Sequence, residues 1–138
     1  MNLTTEQKES GCIRCYATFR LFSETLLPDF VTEQLGVQPA RVWEKGSSQA
    51  SLRRKQNGWF LTSKGEVSTL DAEQHLSWLA NQLITGQEFL TTLAPHSTAD
   101  IMCFWHSAGV AEGGPTLSAP LMAKLSQLNL AIKWSIYH

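Results

Sequence analysis

Two short spacings put metal- and redox-capable side chains near one another in the chain: Cys12-x-x-Cys15 and Cys103-x-x-His106. Three thiolates and one imidazole are a sufficient ligand set for tetrahedral zinc. Both pairs, however, fall in segments whose apolar residues alternate, and in a strand residues three apart point to opposite faces. On that reading the ligand directions are wrong, and Cys15 and Cys103 become small buried hydrophobes. No metal and no cofactor is expected. Cys12 and Cys15 also have the spacing of a redox pair, which needs a helix N-terminus or nearby cations to stabilise a thiolate. Arg14 is the only obvious cation there.

A second group is basic and aromatic. Arg41 and Lys45 flank Trp43, and a polar loop then carries Arg53, Arg54 and Lys55 ahead of Trp59. Arginines beside aromatic rings can take a phosphate, a single-stranded nucleic acid or an acidic protein face. The competing reading is a solvated loop, with Trp43 and Trp59 packed in the core as strand residues. From Pro39 to Lys64 the basic residues Arg41, Lys45, Arg53, Arg54, Lys55 and Lys64 face Glu44 alone, a local charge of +5 in a chain of net charge −1. The whole chain is therefore not that of a general nucleic-acid binder, but its charge is segregated.

Gly113-Gly114-Pro115 precedes Ser118, which reads as a helix N-cap, so backbone amides there can meet an anion. The segment lacks the Lys-Ser/Thr ending of a phosphate-binding loop. A connection needing unusual backbone angles is the simpler account. His75, His96, His106 and His138 show no metal or catalytic spacing, and no nucleophile motif or carboxylate dyad is present. Asp100, Arg20 and His106 fall on outward strand faces. An enzyme of unknown class is disfavoured without being excluded, because separated residues converge on folding.

The elements that must position these residues follow from periodicity. Ile13, Cys15, Ala17, Phe19 and Leu21 alternate with Arg14, Tyr16, Thr18 and Arg20, the pattern of a strand with one buried face. Pro28 opens a short helix that Gly36 ends. A short strand is expected at 41–44, a polar loop at 46–58 with Asn57-Gly58 as a turn, and a strand at 59–61. A long helix is predicted over 70–93, with Ser68 and Asp71 at capping-box spacing and Gly86 a weak point inside it. A strand at 99–106, a glycine-rich loop at 109–115, a helix from Ser118 to Leu128 and a strand at 130–137 complete the chain. The order is β-α-β-β-α-β-α-β, ferredoxin-like with an added αβ unit.

This predicts an α+β fold: a single domain over residues 12–138, with helices on one face of a largely antiparallel sheet and residues 1–11 disordered or frayed. At 138 residues the chain has the size of one domain. It should bury roughly two thirds of its unfolded surface. No apolar stretch approaches the ~20 residues of a membrane span. The polar N-terminus and odd count of three cysteines fit a reducing, cytoplasmic setting.

Several segments resemble the domain of unknown function 4279 family: Tyr16-Ala17-Thr18-Phe19-Arg20, Leu35-Gly36, Pro39-Ala40-Arg41-Val42-Trp43-Glu44-Lys45-Gly46, Gly58-Trp59, and Gly113-Gly114-Pro115-Thr116-Leu117-Ser118 with the closing Ile136-Tyr137. The resemblance runs from about residue 15 to the C-terminus. It implies a compact bacterial-type domain and carries no established activity.

Three functions remain on the residues alone. The first is a non-catalytic protein-interaction module, regulatory or immunity-like, using the basic segment or an exposed sheet face. The second is an anion, small-ligand or nucleic-acid binder using residues 39–64. The third is the enzyme of unknown class. A homodimer through an edge strand is also open, because an open sheet leaves unpaired backbone groups.

Overall fold

A computed structural model describes residues 2–49, 52–109 and 113–138. Its order is α1 (Thr5–Ser10), β1 (Cys12–Ser23), α2 (Pro28–Leu35), β2 (Arg41–Trp43), β3 (Ser48–Gln49), β4 (Leu52–Arg53), β5 (Asn57–Thr62), α3 (Ala72–Leu83), a 3-10 turn (Ile84–Gly86), α4 (Gln87–Thr91), β6 (Ser97–Ser107), α5 (Ala119–Gln127) and β7 (Ala131–Tyr137).

Five strands form one sheet in the order β2-β5-β1-β6-β7. The pairs β2–β5, β5–β1 and β1–β6 are antiparallel, and β6–β7 is parallel. The first four strands thus have the ferredoxin-like arrangement, and α5 returns the chain so that β7 can lie beside β6. The expected α+β class and element order are present. β3 and β4 add a small hairpin within the segment read as a loop.

The alternation in β1 does what its pattern predicts. Ala17, Phe19 and Leu21 are buried, while Tyr16, Thr18, Arg20 and Phe22 keep part of their surface in solvent. The buried side meets α2, α3 and α5, whose Val31, Leu35, Leu76, Leu79, Leu83, Leu121 and Leu125 complete the core. Burial of such side chains contributes roughly 1.5–3 kcal/mol each.

Two local readings are corrected by packing. Asn57-Gly58 begins β5 instead of making a turn. Asn57 is buried, with Nδ2 donating to Leu26 O at 2.9 Å and Oδ1 accepting from Lys45 N at 2.7 Å. The long helix starts at Ala72 with Asp71 itself as N-cap, accepting from Glu73 N at 3.0 Å, so Ser68 takes no part in that cap. It breaks at the glycine: a Cβ on Gly86 would lie 2.4 Å from Leu35 Cδ2 and 3.3 Å from Leu35 Cα, so this side chain-free position lets α2 pack closely. Within the N-terminal segment expected to fray, Thr5–Ser10 form α1. Thr4 and Gln7 make a reciprocal capping box, and Glu6 Oε1 accepts from Leu70 N at 2.9 Å.

Candidate functional site

The side of the sheet away from the helices is built by register. One row across it reads Arg41, Phe60, Arg20, Asp100 and Ala131. A second reads Trp43, Gly58, Phe22 and Thr98, and a third Thr62, Thr18, Met102 and Lys133. Directly opposed residues share a face, so Tyr16 stands beside Phe104, and Arg14 beside His106 and Tyr137. The four basic residues of the five strands (Arg14, Arg20, Arg41 and Lys133) all lie on this side, and their one acidic residue is Asp100.

The rings form two clusters. At one end Trp43 and Phe60 have centroids 4.6 Å apart, and Phe22 lies 5.5 Å from Phe60. At the other, Phe104 stacks on Tyr16 at 5.0 Å and meets Tyr137 at 5.2 Å. Between them Arg20 forks onto Asp100 through two bonds of 2.8 Å. That pairing aligns both planar groups and raises the Arg20 pKa through its hydrogen bonds to the carboxylate.

Cations stand over these rings. Arg54 Cζ is 3.8 Å from the Trp43 centroid and Arg41 Cζ is 5.0 Å from it. Arg14 Cζ lies 5.5 Å from Tyr16 and 5.8 Å from Phe104, and Lys64 Nζ lies 5.4 Å from Tyr16. Each is within cation–π range. Backbone shape permits the densest cluster: a Cβ on Gly58 would sit 2.6 Å from the Trp43 ring. Trp43 Nε1 donates to Gln56 O at 3.1 Å, which fixes the indole.

Folding therefore joins Arg41, Trp43 and Arg54. Beside them Lys45, Gly46, Arg54 and Lys55 line a groove of about 540 Å3, and Lys45 Nζ donates to Glu24 O at 3.2 Å. The backbone of Arg53 pairs with Ser48, while its side chain lies outside the described residues. Trp59 belongs elsewhere. It is one residue from Phe60 and so points into the core, only 1% exposed, with Nε1 donating to Thr32 Oγ1 at 2.9 Å. It is out of reach of a surface ligand.

The cysteines depart from simple alternation. A register irregularity between Cys12 and Arg14 shifts the side-chain parity, and Cys12 and Cys15 both face the core. Cys103 joins them there, but His106 is on the opposite side of the sheet, across from Arg14. The four residues do not converge. Among the described residues no group of three or more His, Cys, Asp or Glu side chains is arranged to hold a metal. Burial raises all three thiol pKa values, with Cys103 pushed up to about 12. That opposes the thiolate a redox pair requires.

Of the glycine-rich loop, residues 110–112 lie outside the described residues. Gly114, Pro115 and Thr116 line a cavity of about 470 Å3 that also carries Glu6, Glu9 and Asp71, the wrong charge for an anion. The Ser118 N–H is already taken by the Glu73 carboxylate. Among the histidines, His75 is buried, with Nδ1 2.6 Å from Ser63 Oγ and Nε2 2.7 Å from Thr69 O. Ser63 Oγ also accepts from Ala17 N at 2.9 Å, so this sequestered pair ties α3 to β1.

Sequence spacing did not single out Arg14, Tyr16, Phe22, Phe60, Phe104 or Tyr137. The available signal was the presence of rings at outward positions of alternating strands, where polar residues usually stand. Arg20 and Asp100 were placed outward and do meet, whereas His106 is remote from their pair.

The sequence profile described as Domain of unknown function (DUF4279) matches residues 13–138, nearly all of this architecture. The chain belongs to that family. The DUF4279 region begins within β1 and includes every strand and ring of the open face. No curated protein and no solved structure matches the chain.

Proposed function

We propose that this DUF4279 domain is a non-catalytic interaction module that docks an acidic protein surface on the open face of its sheet. The observation carrying this reading is the set of cations standing over aromatic rings on a face whose five strands contribute one carboxylate, Asp100. A cation already held against a ring is ordered in advance, so less side-chain freedom is lost when an acidic surface approaches. Aromatic and arginine residues are also the side chains enriched at energetically dominant positions of protein interfaces.

An acidic protein is favoured over a single-stranded nucleic acid. Base stacking needs open ring faces, whereas Arg54 already covers Trp43 at 3.8 Å and Tyr16 and Phe104 cover each other. Among the described residues, the buried thiols and the paired Arg20, whose pKa values burial and hydrogen bonding raise, do not converge in a pocket, which supports the non-catalytic reading. A cytoplasmic regulatory or toxin-neutralising role suits such a module, and it requires no cofactor.

The test is affinity capture with wild type and Arg41→Glu/Arg54→Glu, followed by binding measurements on purified captured proteins and on single-stranded oligonucleotides. Wild type should bind an acidic protein, and the variant should lose it by tenfold or more. Tight oligonucleotide binding, or protein binding unchanged by the variant, overturns the reading.

A further inference from the structure

The two edges of the sheet are unlike. β2 is three residues long, and its chain runs directly into the β3–β4 hairpin. β7 is seven residues long and, among the described residues, pairs with β6 alone, in unbroken register. An edge strand is normally blunted by shortness, proline, a bulge or charge. β7 contains no proline and a single charge, Lys133.

Its pattern is also self-complementary. Ile132, Trp134 and Ile136 occupy the helix side, whereas Ala131, Lys133, Ser135 and Tyr137 occupy the open side. Two antiparallel copies of a strand keep each side continuous only when like-facing residues oppose one another. That excludes every register pairing Lys133 with Trp134. Centring the pair on Lys133 sets like charges opposite each other, and centring it on Ser135 leaves the start of the strand unpaired. Centring on Trp134 removes both defects: Ala131 opposes Tyr137, Ile132 opposes Ile136, Lys133 opposes Ser135, and all seven residues pair.

We propose that β7 is the pairing edge for a second copy of this chain, antiparallel about a two-fold axis at Trp134. Such an interface is isologous, and each contact occurs twice. It unites the two five-stranded sheets and forms one apolar row on the helix side from Ile132, Trp134 and Ile136 of both copies. Ile136 is 46% exposed and Met122 is 51% exposed in the single chain. Ile136 of the second copy arrives opposite Ile132, which with Met122, Leu125 and Leu130 lines a groove of about 480 Å3. Pairing therefore covers apolar surface as well as satisfying backbone groups.

The register makes an unusual demand on Ser135, a half-buried residue on the open side. Ser135→Glu places a carboxylate opposite Lys133 twice, whereas Ser135→Lys places an ammonium there twice. With cross-strand charge pairs of about 0.2–1 kcal/mol each, counted twice, dimer dissociation should tighten roughly two- to thirtyfold for the first variant and weaken by a similar factor for the second. Sedimentation equilibrium over a concentration series measures this, with circular dichroism confirming the fold. Ile136→Asp should give a folded monomer. A wild type monomeric up to millimolar concentration, Ser135 variants moving in the same direction, or a dimer insensitive to Ile136→Asp each overturns the proposal.

Discussion

The cysteines show what burial does to a reactive residue type. Cys12, Cys15 and Cys103 are held as thiols because desolvation penalises their ionised forms, and all three pKa values lie above the ordinary 9.0. Iodoacetamide at neutral pH should leave the native protein essentially unlabelled and modify all three cysteines in denaturant, as read by intact mass. Labelling of the native protein at the rate of a free thiol would show that the sites are open. The pH dependence has a definite sign. Unfolded thiols ionise above 9.0 while the buried ones stay protonated, so the folded state then holds more protons. Their contribution is complete below pH 9.0 and is lost as the pH rises from there toward about 12, the Cys103 value. Denaturant midpoints should therefore fall across that alkaline window, and a midpoint flat to its upper end would contradict the burial.

At the scale of elements, the break between α3 and α4 shows packing overruling propensity. Alanine for glycine in a helical segment ordinarily stabilises by about 1 kcal/mol. Gly86 lies against the buried Leu35 at the end of α2, where a Cβ has no room. Gly86→Ala is expected to destabilise by about 1–3 kcal/mol, the usual cost of overpacking, measured by urea denaturation. A stabilised variant would mean that α2 moves away freely. The sequence already marked this glycine as a break, because glycine weakens a helix anywhere. The partner that requires it, Leu35, is 51 residues earlier and had no local signature.

Over the whole molecule, stability should decline outward from β1, the one strand in the middle of the sheet. β1 pairs on both sides and presents Ala17, Phe19 and Leu21 to the helix-covered core. Its amides should exchange hydrogen only through global unfolding, with protection close to the full unfolding free energy. The two-residue strands of the β3–β4 hairpin and the one-sided α1 should exchange through local opening at far lower free energy. Mass-spectrometric hydrogen exchange distinguishes these classes. Faster exchange in the middle of β1 than in the hairpin would contradict the topology. This gradient places Arg41, Trp43 and Arg54 at the pliable end of the open face, beside a rigid centre held by Arg20 and Asp100.

Local sequence pattern was enough to determine the α+β class, the order of its main elements, the helix start at Pro28, the caps at Gly36 and Ser118, and which side of β1 enters the core. These depend on periodicities and backbone preferences spanning a few residues. The tertiary structure alone decided that Arg14, Tyr16 and Phe104 share a surface with Trp43 and Arg54, that Trp59 leaves it, and that a bulge turns Cys12 inward. Strand neighbours are chosen by long-range pairing, and a one-residue change of register reverses every side chain. Charge segregation was visible along the chain only as a basic stretch from Pro39 to Lys64. It became a basic face when β1, β2 and β7 turned their cations to the same side, the side that no described helix covers, because the apolar alternates had already committed the other side to the core.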